Sequence, residues 1–331
     1  MLLVAVIVGG ALLFVRAAAF NASVSSALFP STALLGPLNG DGRVNVLMVG
    51  YGGGGHGGAY LADSIQVLSI DAATDTTTTI PIPRDLWIEG VAAYPQNGKV
   101  NEVFSTGYLS GADGESDGLD AAGDLMAAAV SEVTGLEIEF WLSIDFAGFS
   151  SMVDAVGGVT IENPVAFNYT LVPEEHEAGT WNDGGFAAGE IHLDGTEALA
   201  YARARYTSVF AESNDFARSV RQSRILGALR TKLGAGGIGS ILPGLSLMDA
   251  MEGGVRTNLS AVDLFLLSSH LTSDRRIELT EGPVLTATTN TNGQYILIPN
   301  GWTGPGDYGG LQAYVARELS QPIGVGAGNA P

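Results

Sequence analysis

The chain has 331 residues, 46% of them hydrophobic, no cysteine, and 15 Lys plus Arg against 35 Asp plus Glu, a formal net charge of -20 at pH 7. That length and apolar content build one large core or two ordinary ones and exclude a disordered chain. The acidity excludes a general nucleic-acid binder, which needs a basic face to displace counterions; the missing thiols exclude disulfide scaffolds, Cys-ligated zinc and iron-sulfur clusters.

The chain opens on MLLVAVIVGGALLFVRAAAF, apolar from Met1 to Val15 and again after Arg16. A helix over that first run spans about 22 Å, and Ala17 to Phe20 extend it to about 30 Å, a hydrocarbon core's thickness, with Arg16 snorkelling to the headgroups. Residues 1–20 are expected to be a transmembrane signal anchor. A cleaved signal peptide ending near Ala17-Ala18-Ala19 and a buried core helix are the alternatives. Residues 21–42, rich in turn formers, are expected to be a linker.

From Arg43 the texture changes. RVNVLMVG (43–50), DSIQVLSI (63–70) and TTTTIPI (76–82) read as strands, the last two joined in a hairpin by DAATD. A helix is expected over 118–135, a strand over 137–145, a short helix over 146–158 and a strand over 159–163. Asp194 and Glu197 have capping-box spacing at the start of the next helix. SNDFARSVRQSRILGALRTKL reads as a longer helix capped near Asp215. After the Gly-rich residues 234–240 come a helix (259–271), a hairpin (283–299) and a last helix (309–319). Residues 321–331 read as a disordered tail. The alternation predicts an α/β domain over 43–320, a three-layer α/β/α sandwich around a mixed sheet.

Five of the 15 basic residues, Arg203, Arg205, Arg218, Arg221 and Arg224, fall within the 24 residues YARARYTSVFAESNDFARSVRQSR. An extended RAR puts Arg203 and Arg205 on one side. On the following helix Arg218, Arg221 and Gln222 share a sector of about 100°. Guanidinium groups gathered this way repel one another and ask for a polyanion such as a phosphate. Neutralisation by Glu197, Glu212 and Asp215 as ion pairs is the competing reading.

IPIPRDLW puts Arg84 and Asp85 just after a strand, where α/β proteins place ligands. Gly50-x-Gly52-x-x-Gly55 fits a dinucleotide fingerprint formally, but a strand follows it instead of a helix, so that reading fails. The loop's amides are still candidate anion donors. Asp63, at a strand start, is a candidate Mg²⁺ ligand or base, or a turn residue.

In their order the glycine loop, DSIQVLSID, IPIPRDLW, GKVNEVFSTG, LSIDFAGFSSMVDAVGGVTIENP, LDGTEALAYARARY and NDFARSVRQSRIL resemble the LytR-CpsA-Psr family of bacterial cell-envelope enzymes. The resemblance runs from Arg43 to Leu233 and on to Leu319. It implies a single-pass membrane protein with its catalytic domain outside the cytoplasmic membrane, which moves a glycopolymer phosphate from a polyprenyl-pyrophosphate donor to a cell-wall hydroxyl, usually on peptidoglycan, and releases polyprenyl phosphate. Carried over, the catalytic arginines are Arg84, Arg203, Arg205, Arg218 and Arg221, with Asp63 as the Mg²⁺ ligand. Asp85, Lys99, Asn101, Asp215 and Gln222 are the accompanying substrate-binding positions.

Two positions depart from the family pattern. Gly52 stands where a loop aspartate commonly supplies a second Mg²⁺ ligand, and Leu61-Ala62 where an arginine commonly precedes the aspartate matched by Asp63. His56, Ser64 or substrate oxygens are the candidate replacements. Asp63 or Asp85 is the expected acceptor of the attacking hydroxyl's proton, and FWLSIDFAGFSSMV and the helix at 118–130 are candidate walls of a lipid channel. A scaffold that binds polyprenyl diphosphate without turnover and a pyrophosphate hydrolase are the alternatives.

Overall fold

The computed structural model describes residues 18–27, 42–54, 58–71, 73–74, 76–111, 114–171, 183–235, 249–268 and 274–321. Strands β1 (Arg43–Tyr51), β2 (Ala62–Asp71) and β3 (Thr76–Pro81) form an antiparallel meander. The short pair β4 (Trp87–Ile88) and β5 (Gly98–Lys99) leads into α1 (Val100–Ser110), which packs against α2 (Glu115–Thr134). β6 (Phe140–Asp145) returns parallel to β1, and α3 (Phe146–Ala155) follows at once. β7 (Val159–Asn163) pairs with β10 (Gly189–Leu193), while β8 (Phe167–Thr170) lies between β9 (Gly184–Phe186) and β11 (Tyr206–Thr207). Then come α4 (Gly195–Arg203), α5 (Asp215–Ala235), β12 (Val255–Thr257), α6 (Ala261–Ser268) and β13 (Asp274–Arg276). The hairpin β14 (Leu285–Thr289)–β15 (Tyr295–Pro299) and α7 (Gly309–Ser320) complete the domain.

The central sheet has the order β12-β6-β1-β2-β3-β13 and is mixed, with β6 parallel to β1, β13 parallel to β3 and the other pairs antiparallel. Alternation along β1 sends its side chains to two cores. Leu47, Val49 and Tyr51 pack with Phe104, Met126, Val130, Leu311 and Val315 under α1, α2 and α7. Val44 and Val46 face the opposite layer with Leu68, Ile70, Phe140, Leu259 and Leu267. A third cluster, around Val159, Tyr201 and Ile225, binds α4 and α5 to β7 and β8. The expected α/β fold with a mixed sheet is the one found.

Between Gly50 and Tyr51 the β1–β2 register slips. Gly50 faces Ser64 and Tyr51 faces Ala62, so Asp63 is an extra residue, a β-bulge of the kind that re-aims a side chain. Helix α1 was not anticipated, because VNEVFSTGYLS mixes β-branched, aromatic and glycine positions. Tertiary contact stabilises it: a Cβ on Gly107 would come within 2.5 Å of the Ala122 Cα, and one on Gly111 equally close to the Gly118 Cα, so these glycines let α1 and α2 touch backbone to backbone.

The expected anchor and linker need revision where they are described. Residues 18–24 are helical, and Phe20 and Val24 are buried against Ile144, Met251 and Val255. Ser25 bridges Thr257 as a parallel edge to β12, and the Ser26 amide donates to the Thr257 carbonyl at 2.9 Å. Apolar side chains placed where a docking face existed, so the segment from Phe20 to Ser26 is part of the domain. Among the described residues no helix is long and apolar enough to cross a membrane. Residues 1–17, 28–41 and 322–331, which carry most of the anchor, linker and tail expectations, lie outside the described residues.

Candidate active site

Arg84 and Asp85 follow the end of β3, where Ile82 still donates its amide to the Ile65 carbonyl at 2.9 Å and Pro83 turns the chain. The Arg84 Nε donates to Asp215 Oδ2 at 3.0 Å and its Nη1 to Asp63 Oδ1 at 3.3 Å. Burial works to lower its pKa, but Asp215, Asp85 and Asp63 together raise it. Asp85 accepts from the Lys99 Nζ at 2.5 Å. Asn101 donates its amide to the Arg84 carbonyl at 3.3 Å. Lys99 and Asn101 therefore brace the turn from behind, and neither lines either cavity described below.

The second wall comes from α4 and α5. Asp194 and Glu197 form the expected capping box, Asp194 Oδ1 accepting the Glu197 amide at 2.8 Å and Glu197 Oε2 the Asp194 amide at 3.1 Å. The helix ends at Arg203, whose guanidinium lies 4.2 Å from the centroid of the Phe146 ring, a cation–π contact. Burial lowers the Arg203 pKa, and Asp63 opposes it. Arg205 follows in extended chain with its Nε 3.4 Å from Asp215 Oδ1.

α5 is capped by Asn214, whose Oδ1 accepts the Ala217 amide at 2.8 Å. Its first turn presents Asp215, Arg218 and, one turn on, Gln222 along one face. Arg218 is buried, 6% exposed, with its Nη2 3.4 Å from Asp215 Oδ1. Gln222 Oε1 accepts from the Ser64 hydroxyl at 2.9 Å. Burial would push the Asp215 carboxyl up, but Arg218, Arg84 and Arg205 reverse this and hold it at about 2. Burial, with Arg84 and Arg205 as like charges, brings Arg218 down to about 10 despite Asp215 and Asp63.

Arg221 is a correction. Expected to face the site, it is fully buried and points at the end of α4. Its Nε donates to the Tyr201 carbonyl at 3.0 Å and its Nη2 to the Ala204 carbonyl, while Nη1 pairs with Glu212 Oε2 at 2.6 Å. It satisfies carbonyls that a helix C-terminus leaves without partners. Arg224 is likewise engaged, donating to the Tyr201 hydroxyl at 3.1 Å. The five clustered arginines thus split: Arg203, Arg205 and Arg218 join Arg84 at the site, and the other two hold α4 on α5. Of the carboxylates expected to neutralise the cluster, Glu212 serves Arg221 and Glu197 caps α4, which leaves Asp215 to serve the site.

Two cavities meet here. One, of about 940 Å³, is lined by Arg84, Asp85, Asn214, Asp215, Glu278, Glu281 and Tyr295 among others. The other, of about 350 Å³, is walled by Met48, Ile144, Phe146, Phe149, Leu171, Leu199 and Leu226, with Arg203 and Asp145 at its polar end. Asp63, Ser64, Arg205, Tyr206, Arg218 and Gln222 line both and form the junction. Of the expected channel walls, Ile144, Phe146 and Phe149 are in place. Trp141 and the helix at 118–130 lie in the opposite layer, where Trp141, Met126 and Val130 are core.

Asp145 was not anticipated as a site residue. It ends β6 at the C-terminal edge of a parallel pair, the signal that could have revealed it, and caps α3 by accepting the Gly148 amide at 2.7 Å. The glycine loop passes against it: at Gly53, φ +81°, a Cβ would lie 3.1 Å from Asp145 Oδ2. Burial raises the Asp145 pKa against the pull of the Gly148 and Ala147 amides. His56 lies outside the described residues, and among those described no three acidic or histidine side chains converge as a metal cage. Mg²⁺ is usually held by one or two carboxylates together with substrate phosphates and water, and the partly exposed Asp63 fits that donor set.

An α/β domain built on a mixed sheet, with arginines gathered where two cavities meet, is the class that the fold and the site define. The chain belongs to the LytR_cpsA_psr family, whose model it matches over residues 17–301. It is 28% identical over 204 residues to the polyisoprenyl-teichoic acid–peptidoglycan teichoic acid transferase TagU of Bacillus cereus, covering 62% of this chain and 57% of that protein. The chain therefore spans less than two thirds of the curated relatives it matches. The fold is shared with Bacillus subtilis TagV (TM-score 0.61, 22% identity, 83% of this chain and 95% of that one). It is shared too with TagT bound to LI-WTA (TM-score 0.59, 20% identity, 83% and 88%).

Proposed function

We propose that the protein is a phosphotransferase that moves a glycopolymer phosphate from a polyprenyl-pyrophosphate donor to a cell-wall hydroxyl, with peptidoglycan as the acceptor. The observation that carries this reading is the sharing of one carboxylate, Asp215, by Arg84, Arg205 and Arg218 at the meeting of the two cavities. Asp85 is shared by Lys99 and Arg84, so four guanidinium groups and one ammonium stand against the three carboxylates Asp63, Asp85 and Asp215. A diphosphate supplies the missing negative charge in bidentate form.

On this reading the apolar cavity takes the lipid next to the diphosphate and the larger cavity takes the glycan. An acceptor hydroxyl attacks the sugar-side phosphorus; its new P–O bond forms as the bond to the bridging oxygen breaks, and polyprenyl phosphate leaves with the bridging electron pair. Arg84, Arg203, Arg205 and Arg218 stabilise the charge that grows on the leaving phosphate. Asp63 has the more accessible carboxylate for the hydroxyl proton, its side chain being 39% exposed against 12% for Asp85. Mg²⁺, held by Asp63 when bound, would supply further charge neutralisation. Since Phe20 belongs to the domain, a single-pass membrane anchor on this reading is confined to the first seventeen residues, apolar but for Arg16 and at the lower limit of a spanning length, with the domain outside the cytoplasmic membrane.

The test is single-turnover transfer from a polyprenyl-diphosphate oligosaccharide to a peptidoglycan fragment, with Mg²⁺ and with EDTA. Prenyl phosphate release and a new phosphodiester are expected, abolished by EDTA and reduced by about 10²-fold or more in Asp63→Ala and Arg218→Ala. A second reading, a binding scaffold, rests on Gly52 in place of a loop carboxylate. Tight donor binding without product would establish it, and phosphate release to water alone would make the protein a hydrolase.

A further inference from the structure

Arg276 is far in sequence from the clustered arginines and lines neither cavity, yet it joins the two walls of their site. It is the last residue of β13, paired in register with Thr79 of β3, and the next amide, that of Ile277, donates to the Thr79 carbonyl at 3.0 Å. Ile277 and Leu279 are buried in the core under α1 and α2. Arg276 thus rises from a firmly packed sheet edge, beside the strand that leads to Arg84 and Asp85.

Its guanidinium reaches across to α5. The Nη2 donates to the Ser219 hydroxyl at 2.9 Å and the Nη1 to the Ser223 hydroxyl, while the Nε pairs with Glu278 Oε1, which offsets the charge. Ser219 and Ser223 stand one turn apart, each directly after a residue of the junction, Arg218 and Gln222. Their face is therefore turned about 100° from the one that looks into the cavities. A planar fork holding two hydroxyls one turn apart fixes both the rotation of a helix and its position along its axis. The apolar side of α5 gives no such register to the central sheet, because Ile225 and Leu229 pack with Val159 and Tyr201, outside that sheet. Gln222 to Ser64 and Asp215 to Arg84 also tie the helix in that direction, but those side chains line the cavities and are open to a ligand.

We propose that Arg276 is a positioning residue, a clamp outside the site that sets the spacing between Arg84 on the sheet and Arg218 on α5. Like charges on the two walls push them apart, and Asp215 between them is their shared counter-ion; Arg276 holds the spacing against that repulsion. This rests on the diphosphate reading above and deepens it, since a ligand that spans both walls depends on their distance and a ligand held at one wall does not. The clamp therefore sets selectivity for diphosphate over a single phosphate.

Equilibrium binding of inorganic diphosphate and of orthophosphate to the full chain, well below its melting temperature, tests this. Arg276→Met is expected to weaken diphosphate by about tenfold and orthophosphate by little. The double variant Ser219→Ala/Ser223→Ala, which removes no charge, is expected to lose the same selectivity, and adding Arg276→Met to it to cost little more. Arg276→Lys, a point donor without the fork, is expected to fall between wild type and Arg276→Met. Should Arg276→Met fail to fold, the serine pair decides. A lower melting temperature with an unchanged ratio of the two affinities would make Arg276 a residue of the fold alone and overturn the proposal. Failure of the wild-type chain to prefer diphosphate to orthophosphate overturns the diphosphate reading and the clamp's role with it.

Discussion

Asp215 accepts from Arg84 and lies within 3.4 Å of both Arg205 and Arg218. It acts as an internal counter-ion that keeps the cluster together before any ligand arrives. Its value near 2 in the folded chain lies below the ~3.9 of an unfolded aspartate. A depressed carboxylate contributes its stability above the unfolded value, so this contribution is complete above about pH 4 and lost as the pH falls towards 2. Asp215→Asn is expected to cost about 2 kcal/mol at pH 7, and inorganic diphosphate should recover much of that loss by taking the vacated charge. Thermal denaturation with and without diphosphate measures both. A loss that diphosphate does not recover would mean that Asp215 serves the start of α5 and not an anion site.

At the scale of elements, the packing of α4 on α5 depends on Arg221. Arg221→Met removes one partner of a buried ion pair and leaves the Glu212 carboxylate and the carbonyls of Tyr201, Ala204 and Glu212 without that donor, at a cost of about 3–5 kcal/mol. Urea denaturation should show that loss, whereas Arg218→Ala should weaken diphosphate binding more than it weakens the fold. The sequence could place Arg221 about 60° round the helix from Arg218, but an angle on a helix does not say which neighbouring element occupies that direction. Elements with strong local signals were legible: β1, β2, β3 and β7, the capping box at Asp194, and α7 all lie within one or two residues of expectation. The two- to five-residue strands β8 to β11 and helix α1 were not, because their stability comes from tertiary partners that no local pattern shows. Of the site, the arginines and Asp63 were legible as motifs. Asp145, Glu281 and Tyr295 were not, since each joins the site by folding from a distant part of the chain.

At the scale of the molecule, a chain with a formal net charge of -20 gathers Arg84, Arg203, Arg205 and Arg218 about the two cavities. The helical segment at 18–24 connects to their junction indirectly. Phe20 and Val24 pack on Ile144, and Phe149 packs against the same cluster; Ile144 and Phe149 also wall the apolar cavity. A form beginning at residue 43 loses the burial of Phe20 and Val24, about 3–5 kcal/mol out of a typical 5–15. Compared with a form beginning at residue 18, it is expected to melt at a lower temperature and to bind prenyl diphosphate more weakly, measured by calorimetry. Equal melting of the two would show that the segment's contacts add nothing to the fold.

The same docking also decides how a load would travel. Ser25 and Ser26 pair with Thr257 at the edge of the central sheet, whose order runs on from β12 to β6 and β1. A pull on residue 18 would therefore shear a strand edge and not peel away a loose end, and the strand next in line, β6, is the one that ends at Asp145 beside the apolar cavity.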